Sequence, residues 1–133
     1  MRQPTARISL VARICLGISA FVCVTLPTSA HHSGAMFEPT KTITVKGVVK
    51  VFEYTNPHSW LWVTVTNEDE TTTDWGFEAE GPSTLFRAGI KKSDLTPGEK
   101  VTVTGRPLQD GRPAAAWVSL VKEDGTVLNP RPR

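Results

Sequence analysis

The sequence predicts a mainly β domain built as a small barrel, and three observations carry that expectation. Five segments between residues 41 and 128 alternate apolar and polar side chains with the two-residue period of half-buried strands. The first of them is long and broken by Gly47, and a glycine there permits the bulge or coil that lets one strand serve two neighbours. A helix opening, Gly81-Pro82-Ser83, falls between the third and fourth strands. That order matches an OB-like, five-stranded, partly open barrel with one short helix. An immunoglobulin-like sandwich wants about seven strands and no helix, and an SH3-like barrel lacks this helix.

The chain opens with a segment that is not expected to join the barrel. Residues 1–13 carry only positive charge, and Ile14 to Leu26 form an apolar run that ends at Pro27, Thr28, Ser29 and Ala30. This is the pattern of a secretory signal peptide over residues 1–30. The run is shorter than the roughly 20 apolar residues that span a bilayer, so no membrane span is expected after processing. Adjacent arginines are absent, which disfavours twin-arginine export. Ile14 and Val22 stand before the two cysteines in place of a lipobox, and a periplasmic or secreted protein is expected.

Cleavage after Ala30 would start the mature chain at His31-His32-Ser33, whereas the rival cut after Ala35 would discard both histidines. The 133-residue chain has 15 basic and 13 acidic residues. Removing Arg2, Arg7 and Arg13 with the leader turns a formal charge of +2 into a small negative one. Cys15 and Cys23 leave too, so the mature domain has no disulfide and no thiolate ligand or nucleophile.

After an N-terminal segment over residues 31–40, the barrel domain is expected over residues 41–128. Lys41 to Tyr54 is the long bent strand, ended by Thr55-Asn56-Pro57-His58 because Pro57 cannot donate to a ladder. Ser59 to Thr66 puts Leu61, Val63 and Val65 on one face and Trp60, Trp62, Thr64 and Thr66 on the other. It forms a hairpin with Thr71 to Glu80, where Trp75, Phe77 and Ala79 oppose Asp74, Gly76, Glu78 and Glu80. A helix of about two turns runs to Gly89, and Ile90 to Leu95 allow a further turn before Pro97-Gly98. Lys100 to Arg106 and Ala114 to Lys122 are the fourth and fifth strands, and Thr126 to Leu128 extend the sheet briefly. The tail from Asn129 to Arg133 carries two prolines and is expected to fray.

Four stretches together resemble a known group: His31-His32-Ser33, the segment Tyr54 to Leu61 with its Asn-Pro-His-x-Trp motif, Gly81-Pro82-Ser83, and Leu95 to Gly105. The chain is similar to small secreted bacterial proteins of unknown function that carry an Asn-Pro-His motif. That resemblance implies export and a small β-barrel, and it implies no activity.

The histidines are the first candidates for chemistry. An N-terminal His31 would offer both its α-amine and its imidazole to one metal ion, and nitrogen sets of this kind suit copper(II). His58 could supply a third nitrogen and His32 is an alternate ligand, if the chain start folds back along the barrel. The bland alternative makes His31-His32 a polar start and His58 a turn cap. Zinc is disfavoured because a structural site wants four closed ligands and no cysteine remains.

Asn56, Trp60, Trp62, Glu78 and Glu80 are candidates for supporting or contacting a ligand. Glu78 or Glu80 would orient a metal-bound His58, although alternating carboxylates more often form a solvated face. Trp60 and Trp62 would offer a stacking platform for a peptide, a sugar or an envelope partner, although packing on Leu85 and Phe86 of the helix is the simpler expectation. Glu68, Asp69, Glu70, Asp74, Glu78 and Glu80 in the same region would repel phosphate, so nucleic acid is not an expected partner. No nucleophile elbow or phosphate loop is present, and an enzyme is not expected. Two readings follow: an exported protein holding copper through His31, His32 and His58, or an interaction module using Trp60 and Trp62 without metal.

Overall fold

A computed structural model describes residues 34–131. The expected signal peptide and His31, His32 and Ser33 lie outside the described residues. The strands are β1 (Ile43–Glu53), β2 (His58–Thr66), β3 (Thr72–Glu80), β4 (Lys100–Pro107), β5 (Ala114–Lys122) and the short β6 (Val127–Leu128), with one helix, α1 (Pro82–Arg87), between β3 and β4. The sheet runs β3-β2-β1-β4-β5-β6, and a further β3–β5 pairing closes the first five strands on themselves. The barrel is therefore closed rather than partly open. The seam is short and parallel, pairing Gly76, Phe77 and Glu78 with Ala114, Ala115 and Ala116.

Strand β1 shows how an alternating sequence serves two neighbours. Residues 43–48 pair with β4 and residues 48–53 with β2, so Val48 is the hinge between the two ladders. A register shift between Val49 and Val51 places the bulge at Lys50, three residues beyond the glycine expected to carry it. The extra residue resets the inward parity: Ile43, Val45 and Val49 face in before it, Phe52 after it, while Val48 and Val51 face out. This explains why the sequence there is apolar on both faces.

Gly47 has a different role. A Cβ at this position would collide with the carbonyl oxygen of Thr64 and come within 2.7 Å of Val63. The glycine lets β1 cross β2 closely enough to change partners.

Inside the barrel, Leu61, Val63, Phe77, Val103, Ala115 and Leu120 are fully enclosed. Trp117 meets Phe52 edge-on at 6.1 Å. Leu85 of α1 enters this cluster with Ile90 and Leu95 from the connection that follows. The Tyr54 hydroxyl ties that connection to β1, lying 2.9 Å from the Pro82 carbonyl and 3.0 Å from that of Ile90. Pro82 at the first helical turn begins the helix, and Gly89 at φ +83° ends it.

The tryptophans do not pack on the helix. Trp60 and Trp62 stack on each other, centroids 5.7 Å apart, on the outer face of β2. Their rings lie across Gly76 of β3, where a Cβ would stand 2.9 Å from Trp62 and 3.2 Å from Trp60. The bare glycine backbone supplies the bed for the rings. Phe86 points outward from the helix, and Leu85 is used by the core.

Both ends of the described chain lie against the barrel. Phe37 is buried and bridges Leu108, and the Glu38 amide donates to the Pro107 carbonyl at 2.9 Å. In the described part of the tail, Pro130 is buried while Asn129 and Arg131 are exposed.

Gly47→Ala is expected to destabilise the fold by about 2–3 kcal/mol, since backbone must move to admit the methyl group. Gly34→Ala, where nothing lies within 4 Å, is expected to stay within about 0.5 kcal/mol. Urea unfolding of the two variants beside the parent checks the contrast.

Candidate functional site

The barrel seam determines which side chains share the outer face. In paired strands, residues directly opposite one another point to the same side. Trp60 opposes Glu78, Glu78 opposes Ala116, and Ala116 opposes Arg106. These four residues form one row across β2, β3, β5 and β4. Ala116 is the small member between two long ones, so the row dips there, and Glu78 and Arg106 stand on either side about two strand spacings apart, roughly 9–10 Å.

A cleft of about 120 Å³ occupies this dip. His58, Glu78, Glu80, Arg106 and Trp117 line it, with Gly34 and Phe37 from the chain start and Pro130 and Arg131 from its end.

His58 is the first residue of β2 and faces Glu80 in the ladder. Its ring leans along the diagonal to Glu78, placing Nδ1 2.9 Å from Oε1. Nδ1 is the ring nitrogen that faces the carboxylate, so in a neutral imidazole protonated at Nδ1 the lone pair lies on Nε2. A carboxylate behind an imidazole is how proteins orient a metal-binding histidine. The same pairing replaces the turn-capping role considered for His58.

Glu78 is not part of a solvated face. Its side chain is only 10% exposed. Burial holds its carboxyl above the ordinary glutamate range, the charge of Glu80 adds to that, and His58 opposes it. Asp74, four residues earlier on the same face, does behave as a surface acid: it pairs with Lys50 and accepts from Thr64 at 2.7 Å, which lowers its pKa.

Three buried polar atoms in residues lining the cleft have no hydrogen-bond partner among the described residues: Glu78 Oε2, Arg106 Nε and Trp117 Nε1. Buried polar atoms are ordinarily paired, with protein or with water, so three around one cleft make it the place among the described residues best supplied with free hydrogen-bonding groups.

The other expected site residues lie elsewhere. Asn56, beside a cis peptide to Pro57, sets its side-chain oxygen against Gly81 at the start of the helix, outside the cleft. Trp60 and Trp62 flank the cleft without lining it, and the Trp62 indole donates to Glu53 at 3.2 Å. His31 and His32 lie outside the described residues. Among the described residues, no three His, Cys, Asp or Glu side chains cluster as a metal site would require.

A model of a family of unknown function matches residues 20–117. The chain belongs to that family, DUF6152. No curated protein and no solved structure matches it. Family membership assigns no chemistry, and the match takes in the whole of β1 to β4, with His58, Glu78 and Arg106.

Arg106 and Trp117 were not among the expected site residues. Arg106 reads as the polar end of an alternating strand and Trp117 as core. Only the parallel seam brings them beside Glu78, and a parallel contact of three residues leaves no local pattern in a sequence.

The direction of the Glu78 shift sets a pH dependence. A carboxyl whose folded pKa is raised binds its proton more tightly in the folded state, so folding stability falls as pH rises from the ordinary value of 4.5 through the folded one. Glu78→Gln is expected to flatten that fall. Urea unfolding at half-unit pH steps upward from 4 compares the two slopes.

Proposed function

We propose that this is an exported, non-catalytic binding protein that holds copper(II) between the start of its mature chain and His58. The observation that carries the reading is the Glu78-backed imidazole: Nδ1 is engaged at 2.9 Å, so Nε2 is the nitrogen available to a metal. The position of Gly34 supports it. Gly34 lines the same cleft as His58, and His31 is only three residues earlier. Covalent geometry keeps the His31 Cα within roughly 11 Å of Gly34 in any conformation.

An α-amine and imidazole from His31, joined by His58 Nε2, make a three-nitrogen set of the kind copper(II) prefers, with His32 as the alternate donor. Glu78 would act behind His58, and the charge of a bound cation would favour its ionised form. The alternative platform of Trp60 and Trp62 is not favoured, because the two rings are already used in covering Gly76 and in bonding Glu53.

Intact mass of the exported protein is expected to place its first residue at His31. That protein is expected to take up one equivalent of copper(II), with nitrogen hyperfine structure in its electron paramagnetic resonance spectrum. His31→Ala and His58→Ala should each abolish the stoichiometric signal, and Glu78→Gln should weaken affinity about 10- to 100-fold. A mature chain beginning at Met36, or undiminished binding by His31→Ala, overturns the reading.

A further inference from the structure

The three unpaired atoms describe a ligand of their own, and two of them belong to residues the copper reading does not use. Arg106 Nε and Trp117 Nε1 can only donate. Arg106 is also a cation that enters none of the ion pairs among the described residues. A half-buried arginine whose Nε is enclosed and a buried indole N–H, both in residues lining one small cleft, are suited to the two oxygens of a carboxylate. The third atom, Glu78 Oε2, is a carboxylate oxygen 10% exposed as part of its side chain, and it lacks a donor.

We propose that the cleft binds a small carboxylic acid with a hydrogen-bond donor on the adjacent carbon, an α-hydroxy or α-amino acid. Its carboxylate accepts from Arg106 and Trp117, and its hydroxyl or ammonium group donates to Glu78. The size of the cleft, about 120 Å³, restricts the ligand to a few heavy atoms. Charge sets the same limit on ligand type. Glu80 and Glu78 repel a multiply charged anion such as phosphate, and Arg131 at the rim joins Arg106 in offsetting them for a monoanion. Ala116 is the reason there is room at all: any longer side chain at that point of the row would fill the space between Glu78 and Arg106.

The site does not depend on copper, and its test is run without metal. The full-length mature protein, in buffer containing EDTA, is titrated with glycolate and with glycine while the Trp117 indole N–H resonance is followed by ¹H–¹⁵N NMR, assigned through Trp117→Phe. A saturable shift of that resonance is expected with at least one of the two. Acetate, which has the carboxylate but no adjacent donor, should bind about tenfold more weakly, as should either acid to Glu78→Gln. Arg106→Gln should lose the response altogether while its remaining amide spectrum shows a folded barrel.

No saturable shift with either acid overturns the proposal, as does an equal response to acetate or chloride. So does an unchanged affinity in Arg106→Gln; should that variant fail to fold, unchanged affinity in Glu78→Gln overturns it instead. A failure here with intact copper binding leaves the metal reading standing, and the reverse result separates the two in the other direction.

Discussion

Three backbone pairs hold the key to this molecule. Where Gly76, Phe77 and Glu78 meet Ala114, Ala115 and Ala116, the first and last of the five barrel strands in the sheet order, β3 and β5, become neighbours and the barrel closes. Closure covers part of the β3 edge that an open sheet would leave exposed. It also buries Phe77 and Ala115 completely in the interior. Small residues make the approach possible: Gly76 on one side and three alanines on the other. The same contact puts Glu78 in a row with Arg106, so a feature needed for stability also creates the cleft.

The outer face on either side of that seam is treated in two ways. Over Gly76 the surface is filled by the stacked rings of Trp60 and Trp62, which take up the space a side chain would have used. Over Ala116, one row along, nothing fills it, and the neighbours are ionisable or donor groups. An apolar hollow would be expected to stay dry, whereas one bordered by a buried carboxylate, a guanidinium and an indole N–H favours polar occupants. The contrast between adjacent positions on one sheet separates a surface closed by packing from one left open to a polar partner. His58 stands at the boundary, with one ring nitrogen committed to Glu78.

Burial of Glu78 links stability and binding through one group. Its carboxyl is held above its ordinary range because desolvation outweighs the help from His58. A group kept at such a cost in a fold this small is better explained by what it contacts than by what it stabilises, since a glutamine would fill the same volume without the charge. A metal-bound His58 and an ammonium or hydroxyl donor would both draw on the same carboxylate. Its two oxygens face different partners: Oε1 meets the imidazole, and Oε2 has none among the described residues.

Much of the architecture is local and was readable from residue order alone. Two-residue alternation placed β2 and its hairpin partner β3, Pro82 and Gly89 bounded the helix, and a long first strand with apolar residues on both faces signalled a change of partners. These follow from backbone sterics and side-chain period, which act between near neighbours in sequence. The exact place of the bulge did not follow, because Lys50 is an ordinary strand residue and only the competition between two ladders decides where the extra residue goes. His58 and Glu78 were visible as candidates, but their contact was not, since a register slip of one residue would have sent Glu78 to the interior. Arg106, Trp117 and the meeting at the cleft of both ends of the described segment were invisible, because contacts across dozens of residues carry no periodic trace. The residue order determined which elements form; the closing of the barrel decided which of their side chains meet, because closure is a property of the whole ring of strands and of no single one.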